Sequence, residues 1–370
     1  MMFDRRLLEH FDWGLLLLVL LISGCGLIVL YSAVMAGWQG HGLHSLFERQ
    51  LIWIGAGFVV MTGVLFFDFR HLNKLNLIIY GVCAGLLIGV LFFGQSGGGS
   101  QRWLSLGGIS IQPSELMKIA LIISLASIYA ATVSPEGLSF RQLLKPAGIC
   151  LIPVGLIVNQ PDLGTGLMLL LIAGSITLFV KVEKKVLLIL AGLSGCIVPV
   201  VWFFGLKAYQ KARILTFLDP DRDPLGTGYH IIQSKIAIGS GMITGKGFLQ
   251  GTQNALAFLP EQHTDFILSV LAEEWGLVGS AVLLVLYFLL ISWGLNIAYN
   301  CRNMFGSILA FGITSMIFWQ IFINIGMVMG LMPVVGMPLP LVSYGGSSVI
   351  TNMVGFGILL NISMRRFYTG

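Results

Sequence analysis

The sequence predicts an all-α integral membrane protein with about ten transmembrane helices and one long extracytoplasmic loop between helices 7 and 8. Of its 370 residues, 56% are hydrophobic and only 10% are charged, whereas soluble domains are about 25% charged. Long apolar stretches recur along the chain, and most approach the roughly 20 residues needed to cross a bilayer. Polar and glycine-rich motifs lie at the ends of these stretches, where a polytopic protein places its loops.

Ten segments are apolar enough to cross the membrane. They are residues 13–36, 49–67, 75–94, 113–132, 144–159, 163–180, 186–206, 265–292, 305–331 and 347–363. The first is too long for the core of a signal peptide and has no clear cleavage site, so it is expected to stay in the membrane. No internal repeat or linker divides the chain, and residues 1–370 are predicted to form a single polytopic domain.

Lysine and arginine in the short loops predict the orientation, because positive charge is retained on the cytoplasmic side. With the amino terminus inside, the interior segments carry twelve of these residues and the short exterior loops carry two, which places both termini in the cytoplasm. The long loop, residues 207–264, is exterior and escapes the charge rule. The interior twelve are Arg5, Arg6, Arg70, Lys74, Arg141, Lys145, Lys181, Lys184, Lys185, Arg302, Arg365 and Arg366, and the exterior two are Arg49 and Arg102.

This topology collects four motifs on the exterior face. They are QPSE (112–115), QPDLGTG (160–166), LPEQHTDF (259–266) and PLPLVSYGGSS (338–348). Carboxylates, amides and glycines gathered at one membrane surface predict the binding of a polar head group. Irregular backbone at membrane depth is tolerated only where it is buried in protein or lines a wet cavity, so Ser343 and Tyr344 are expected to face such a cavity.

Glu115 and Lys118 are the first ionisable candidates. They stand three residues apart at the start of the fourth span, so they share one helix face and can reach each other. Ionisable residues within the membrane are costly and usually occur as interior pairs at functional sites. Two interpretations remain open here: a site for a head group, and a purely structural ion pair.

Asp162 lies in a tight exterior turn before the sixth span. A carboxylate there can bind substrate, and it can equally cap the amino terminus of the following helix. The sequence alone leaves both roles open.

Asp265 opens the eighth span at the exterior boundary of the membrane. Partial burial would raise the pKa of a carboxyl group there and make it a better general base. The competing interpretation is an N-cap residue or an acid in the first helical turn that interacts favourably with the helix dipole. Glu273 and Glu274 follow about 12 Å deeper, at 1.5 Å per residue, and are hard to explain as solvated charges.

The long exterior loop is basic and contains one amphipathic stretch. Tyr229, Ile232, Ile236 and Gly239 recur at helical spacing around Lys235, which is typical of a helix lying in the membrane interface. Basic groups at that position suit a pyrophosphate or anionic lipid heads. The stretch GSGMITGKG (239–247) has Ser240 where a phosphate-binding loop needs its first glycine and Gly247 where it needs a Ser or Thr after the lysine, so nucleotide binding is rejected.

The motifs carry a specific resemblance. The stretches QRWLSLGGISIQPSELMKIA, NQPDLGTG, FLDPDRDPLGTGYHIIQSKIAIGSG, GKGFLQGTQNALAFLPEQHTDFI, LAEEWGLVG and GLMPVVGMPLPLVSYGGSS follow one another along most of the chain. In this order they closely resemble the SEDS family, whose branches are RodA, FtsW and SpoVE. The wording PVVGMPLPLVSYGG is similar to the RodA branch, which acts in cell elongation.

The resemblance implies an enzyme that polymerises lipid II into peptidoglycan strands on the outer face of the bacterial cytoplasmic membrane. It implies a class B penicillin-binding protein as partner, no nucleic acid, Asp265 as the essential aspartate and Glu115–Lys118 as the ion pair. The leaving pyrophosphate needs positive charge, either from loop Lys and Arg residues or from a divalent cation such as Mg²⁺ or Mn²⁺. The expected substrate-binding residues are Glu115, Lys118, Gln112, Ser114, Arg102, Asp162, Lys235, His263, Thr264, Ser343 and Tyr344.

Two other classes of function are compatible with the same residues. A flippase that moves lipid II across the bilayer would use buried charges such as Glu273 and Glu274, although its site would lie at the midplane. A scaffold would dock the transmembrane helix of a partner, for example on the glycine-rich face of the third span. Consumption of lipid II that is already on the outer leaflet distinguishes an enzyme from both.

Overall fold

The computed structural model describes residues 11–35, 40–97, 100–106, 109–132, 137–219, 223, 226–256, 258–259 and 261–365. Arg5, Arg6 and Arg366 of the charge count lie outside these residues, as do Arg222 of the long loop and Pro260 of the LPEQHTDF motif. The structural statements below concern the described residues.

Each of the ten predicted spans overlaps one long helix. Seven of the ten are long and apolar enough to cross a membrane, and α6 is a shorter apolar helix, so the multi-pass helical class is confirmed while the number of crossings stays a prediction. The helices are α1 (Trp13–Met35), α2 (Gly40–Leu65), α3 (Arg70–Phe93), α4 (Pro113–Thr132), α5 (Phe140–Asn159), α6 (Leu163–Phe179), α7 (Lys184–Val200, continued by a π-helical turn, Val201–Gly205), α11 (Ile267–Asn300), α12 (Met304–Val328) and α13 (Gly346–Arg365).

A small antiparallel sheet, which the sequence does not predict, joins α3 to α4. Its strands are β1 (Gln95–Gly97), β2 (Ser100–Leu106) and β3 (Ile109–Ile111), in the order β1-β2-β3. The strands are short, and β1 contains no apolar residue. Apolar and polar residues alternate over only three positions in β2 (104–106) and three in β3 (109–111), fewer than the four to eight by which a strand is normally detected.

Helices α4, α12 and α13 form the buried centre of the bundle. Their close approach depends on glycine: a Cβ on Gly312 of α12 would meet Ile122 of α4 at 2.5 Å, and one on Gly355 of α13 would meet Ile313 at 3.1 Å. Small residues of this kind let helices pack by van der Waals contact in lipid. The glycine-rich face of α3 is different, because Gly81, Gly85 and Gly89 have open space beside them.

The long exterior loop is largely helical. It contains α8 (Ala208–Leu218), α9 (Thr227–Ser240) and the single turn α10 (Thr252–Ala255). Helix α9 packs on α11 through a face that includes Ser234, whose hydroxyl lies 2.8 Å from that of Ser269 and donates to the Val328 carbonyl at 2.6 Å. Ile236, part of the predicted apolar stripe, lies on the opposite and exposed side, where an interfacial helix would meet lipid.

Candidate functional site

Asp265 lies in a turn directly before α11 and does not cap that helix. The cap position is Phe266, which makes no side-chain cap hydrogen bond. The Asp265 carboxylate is partly buried, and among the described residues no donor hydrogen-bonds to it. Its role as a helix-capping acid is therefore excluded, and its oxygens are free to act on a bound molecule.

The surroundings of Asp265 hold its carboxyl group nearer to neutrality than usual. Burial raises its pKa to about 6, and the neighbouring Glu261 carboxylate acts in the same direction. Arg102 and Arg213 oppose this shift with their positive charges. A carboxyl group with this pKa is mostly ionised at neutral pH and is a stronger proton acceptor than an ordinary aspartate.

The backbone of Asp265 is fixed by Asn324 of α12. The Asn324 side-chain amide donates to the carbonyl of Asp265 at 2.9 Å and to the carbonyl of Met337 at 2.6 Å. Gly336 has a positive φ of 73°, and a Cβ there would lie 3.3 Å from the Asp265 carboxylate. The irregular segment before α13 therefore passes directly beside the acid.

The segment from residue 339 to 344 is joined to the same turn. The Ser343 hydroxyl donates to the Thr264 carbonyl at 2.5 Å and accepts from the Leu339 amide at 2.8 Å. The Tyr344 amide donates to the His263 carbonyl at 2.9 Å. Ser343 thus differs from the expectation of a cavity-facing residue: it is buried, and its hydroxyl bonds within the protein.

His263, Thr264 and Tyr344 remain beside the acid. The His263 and Tyr344 rings lie 6.1 Å apart between centroids, and burial lowers the pKa of the His263 imidazole, against the opposing charge of Glu261. The Thr264 hydroxyl donates to a Glu261 carboxylate oxygen at 3.1 Å. The motif therefore presents one free carboxylate, Asp265, within a braced turn.

Asp162 caps α6, as one of the two interpretations predicted. Its carboxylate accepts hydrogen bonds from the amide of Thr165 at 3.2 Å and from the Thr165 hydroxyl at 2.8 Å. Arg102 of β2 lies 3.6 Å from the same carboxylate and donates to the Pro161 carbonyl at 3.0 Å. The unpredicted sheet therefore carries a guanidinium group to the QPDLGTG turn, within electrostatic reach of Asp265.

Glu115 and Lys118 form the predicted ion pair, with 2.8 Å between Lys118 Nζ and a Glu115 oxygen. Both residues are buried, and the second Glu115 oxygen has no hydrogen-bond partner among the described residues. One turn toward the exterior, the backbone amide of Gln112 donates to the Ser347 hydroxyl at 3.1 Å. Ser114 is buried in the same turn. The QPSE motif thus attaches α4 to the first turn of α13.

Lys235 belongs to α9, and its side chain lies beside the carboxyl end of α12. It forms no ion pair with Asp265. A Cβ on Gly330 would meet the Lys235 Cε and, at 2.8 Å, its Nζ, so the lysine side chain crosses the backbone just after α12. It forms no ion pair with a described residue. Its charge remains available at the exterior surface.

Three residues near Asp265 were not singled out from the sequence. His230 of α9 stacks on Phe266 with 5.8 Å between ring centroids, Arg213 of α8 contributes charge, and Asn324 fixes the backbone. Two of them could have been noticed in the sequence. Asn324 is a polar amide inside an apolar span, and His230 is a titratable aromatic residue in the basic exterior loop. No feature of the sequence other than its charge distinguishes Arg213.

Helix α11 is broken at Gly276, which has φ 63° and ψ −157°. The loop after α9 inserts there and replaces the lost helical hydrogen bonds. The Lys246 and Gly247 amides donate to the carbonyls of residues 273 and 274, both at 3.0 Å, and the amides of residues 277 and 278 donate to the carbonyls of residues 242 and 243, at 3.0 and 3.1 Å. A break within lipid depth is tolerated because its polar groups are paired in this way.

Glu273 and Glu274 fasten the inserted loop, which explains why they are charged. The Glu273 carboxylate accepts hydrogen bonds from Lys246 Nζ at 2.7 Å and from the backbone amide of Gln253 at 3.0 Å. Glu274 accepts from the Ser32 hydroxyl of α1 at 2.5 Å. Both carboxylates are buried and satisfied within the protein. These contacts connect α1, the exterior loop and the segment of α11 that follows Asp265.

Replacing Gly276 by alanine is expected to destabilise the protein. A Cβ there would meet the Gly245 amide nitrogen and lie 2.6 Å from the Ile243 carbonyl oxygen, in a backbone conformation that costs about 1–3 kcal/mol for a residue other than glycine. The thermal unfolding midpoint in detergent should fall. Gly192→Ala of α7 is the control, because a Cβ there meets nothing within 4 Å. Equal midpoints for the two variants would contradict the inserted-loop arrangement.

Comparison with known proteins identifies the family to which this chain is similar. The family profile of cell cycle proteins of the FtsW, RodA and SpoVE type matches residues 12–368. The chain is similar to the peptidoglycan glycosyltransferase MrdB of Escherichia coli K12, with 44% identity over 96% of this chain and 94% of that protein. It is also similar to the stage V sporulation protein E of Bacillus subtilis, with 38% identity over 95% of this chain and 96% of that one.

Solved structures have the same fold. A chain from a peptidoglycan synthase complex, described for its coordination of polymerization and crosslinking, superposes with a TM-score of 0.83 at 32% identity and covers 97% of this chain and 99% of that one. The rod shape determining protein RodA of Thermus thermophilus superposes with a TM-score of 0.72 at 29% identity over 97% and 98% of the two chains.

Proposed function

This chain belongs to the FtsW, RodA and SpoVE family of cell cycle proteins and is a peptidoglycan glycosyltransferase, and we propose that it polymerises lipid II on the extracytoplasmic face of the bacterial cytoplasmic membrane during cell elongation. The observation that carries the proposal is the Asp265 carboxylate. It is partly buried, it forms no hydrogen bond with a described donor, and its pKa is raised to about 6. A multi-pass helical bundle supports it at the surface where the polar motifs meet.

The proposed reaction is one inverting displacement. The hydroxyl oxygen at C4 of the acceptor GlcNAc attacks the anomeric carbon of the donor sugar. As the new carbon–oxygen bond forms, Asp265 accepts the hydroxyl proton. The bond from the anomeric carbon to the pyrophosphate oxygen breaks, and undecaprenyl pyrophosphate leaves with the electron pair. A single displacement inverts an α-linked donor to a β-1,4 product, so no protein nucleophile is required.

The leaving pyrophosphate requires positive charge that is present before the reaction. Arg213 and Lys235 suit this role, because Arg213 acts electrostatically on Asp265 and Lys235 forms no ion pair with a described residue. Arg102 is already engaged with Asp162 and Pro161. We assign Arg102 to positioning of the QPDLGTG turn and the other two to the pyrophosphate.

A divalent cation would have to arrive with the substrate. No group of three or more His, Cys, Asp or Glu side chains close enough to hold a metal ion occurs among the described residues. The positive charges of Arg102 and Arg213 in the surroundings of Asp265 disfavour a resident metal ion there. Mg²⁺ or Mn²⁺ bound by the pyrophosphate remains compatible with this arrangement, and no step above depends on it.

A class B penicillin-binding protein is the proposed partner. One solved relative belongs to a peptidoglycan synthase complex in which polymerization and crosslinking are coordinated. A polymerase that produces uncrosslinked strands needs a transpeptidase beside it, and the membrane face that presents Asp265 is the side on which strands would emerge. Both chain termini are proposed to be cytoplasmic, as the distribution of Lys and Arg predicts.

Labelled lipid II tests the proposed function. The purified chain, alone and with its cognate penicillin-binding protein, would be incubated with lipid II in detergent, with and without Mg²⁺ or Mn²⁺, and the products separated on a gel. Glycan ladders are expected. Their absence under every condition would reject the polymerase and support the flippase or the scaffold, which a leaflet-translocation assay in vesicles would then distinguish.

The dependence of the reaction rate on pH should follow the protonation of Asp265. A general base works only when it is deprotonated, so activity is expected to fall as pH decreases through about 6. The Glu261 carboxylate raises the pKa of Asp265; Glu261→Gln should therefore lower that pKa and extend activity to lower pH. Polymerisation rates from pH 4.5 to 8 measure the shift. An acid limb unchanged by Glu261→Gln would assign the limb to another group.

A further inference from the structure

Helices α4, α5, α6 and α7 border a cavity whose lining includes none of the residues placed at the Asp265 site. The cavity is open to its surroundings and has a volume of about 500 Å³, within the range of small-molecule sites. Its walls come from the first turns of α5 and α7 and the last turns of α4 and α6. These are the helix ends that the positive charge of the loops predicts to be cytoplasmic. The cavity exists because its lining includes small residues, among them Ala147, Ala173, Gly174 and Ala191.

The lining of this cavity is apolar, and its hydroxyl groups already have partners. The Tyr129 hydroxyl lies 2.7 Å from that of Thr177, and the Ser194 hydroxyl donates to the Ala191 carbonyl at 2.8 Å. A polar ligand would find no free hydroxyl group there. The physical complement of this cavity is therefore a hydrocarbon chain.

The mouth of the cavity is cationic. Backbone hydrogen bonds from the Leu138 amide to the Lys181 carbonyl and from the Glu183 amide to the Leu138 carbonyl, at 3.1 and 3.3 Å, join the two loops below it. They bring the starts of α5 and α7 to the same rim. Lys184 lies one turn before Leu187 of the cavity wall. The exposed basic residues of this rim are Arg141, Lys145, Lys181, Lys184 and Lys185.

Most of these basic residues have no ion-pair partner among the described residues. Among the described residues, Arg141, Lys145, Lys184 and Lys185 form no ion pair, and Glu183 is the one described acid in the two loops. Basic pockets between transmembrane helices on the cytoplasmic side are suited to anionic lipid head groups. An apolar cavity below a cationic rim is the shape and charge complement of an anionic lipid.

We propose that this cavity binds an anionic glycerophospholipid of the cytoplasmic leaflet, with an acyl chain among α4 to α7 and its phosphate at the rim of α5 and α7. The bound chain fills the space beside α7, which has few backbone contacts with the other described helices. It therefore supports the helix from which the long exterior loop departs. The site is distinct from the sugar-transfer site and does not depend on the proposed role of Asp265.

Two variants test the two halves of the site. Lys184→Gln with Lys185→Gln removes charge at the mouth, and at about 1 kcal/mol per basic group should weaken anionic lipid binding about 30-fold. Gly174→Leu fills the cavity, and a Cβ there meets nothing within 4 Å. The matched controls are Lys74→Gln with Arg302→Gln, exposed charges elsewhere, and Gly192→Leu, which points into open space on α7.

The measurement uses the purified full chain in detergent, titrated with phosphatidylglycerol, phosphatidylcholine or undecaprenyl phosphate. Retained lipid is counted by native mass spectrometry, and the thermal unfolding midpoint is followed in parallel. Phosphatidylglycerol should be retained and should raise the midpoint of the wild type and both controls, but do so weakly in both test variants. Equal retention of phosphatidylcholine, undiminished binding in the test variants, or preferential retention of undecaprenyl phosphate would each overturn the proposal.

Discussion

Replacing Asp265 by asparagine is expected to abolish glycan polymerisation and leave the fold intact. Asparagine has nearly the same shape but cannot accept the proton of the attacking hydroxyl, and loss of a general base costs about 10²- to 10⁴-fold in rate. The fold should persist because no described donor depends on the Asp265 carboxylate, while Asn324 holds the backbone carbonyl of residue 265, which the substitution keeps. Ladder formation from labelled lipid II measures the rate, and the thermal unfolding midpoint measures the fold.

Glu261→Gln is the matched control for this experiment. It removes a carboxylate from the same turn, four residues away, while the acid proposed for catalysis stays in place. This variant should polymerise lipid II at neutral pH. If Asp265→Asn retained substantial activity with an unchanged midpoint, Asp265 would be removed from the mechanism. If both variants were inactive, the turn as a whole and not its free carboxylate would be the requirement.

The positions of the helices could be predicted because the bundle is surrounded by lipid. Each predicted span overlaps a helix, because lipid requires backbone polar groups to be paired within a segment. The break in α11 could not be predicted, because the backbone polar groups on either side of Gly276 are paired by residues 242–247, about 30 positions earlier. Glu273 and Glu274 were detected as unusual, but their partners became known only when the inserted loop was placed. Long-range pairing of this kind has no periodic signal.

The candidate site was predictable in its residue types more than in its contacts. Asp265 was identified from its position at a span boundary, and the structure adds a raised pKa and a braced backbone. The brace, Asn324, lies in a distant span, so only packing brings it to residue 265. The sequence predicts Arg102 as a basic residue of an exterior loop and, through the family resemblance, as a substrate-binding residue, but it does not predict the contact with Asp162. The sheet that directs Arg102 to Asp162 pairs the seven-residue β2 with two strands of three residues each, and the sequence of these strands has no extended alternation that would predict them.

The ion pair between Glu115 and Lys118 provides the second large expected effect. Lys118 is 1% exposed, and its ammonium group is bonded to Glu115 at 2.8 Å. Removing one partner of a buried pair leaves a charge without compensation and costs about 3–5 kcal/mol. Lys118→Met is therefore expected to lower the thermal unfolding midpoint strongly, since methionine fills similar volume but leaves the Glu115 carboxylate unpaired.

The double variant Glu115→Gln with Lys118→Met separates the two interpretations of this pair. It removes both charges, and replacing a buried pair by neutral groups is often neutral or stabilising, so the unfolding midpoint should recover. If the pair only locks the packing of α4, polymerisation of lipid II should recover with it. The Gln112 amide one turn away is bonded to Ser347, next to the glycines of the SYGGSS motif, and one Glu115 oxygen has no described partner. Because the pair thus lies directly beneath the polar motifs, we expect stability to return without activity, which would assign the charges to the substrate.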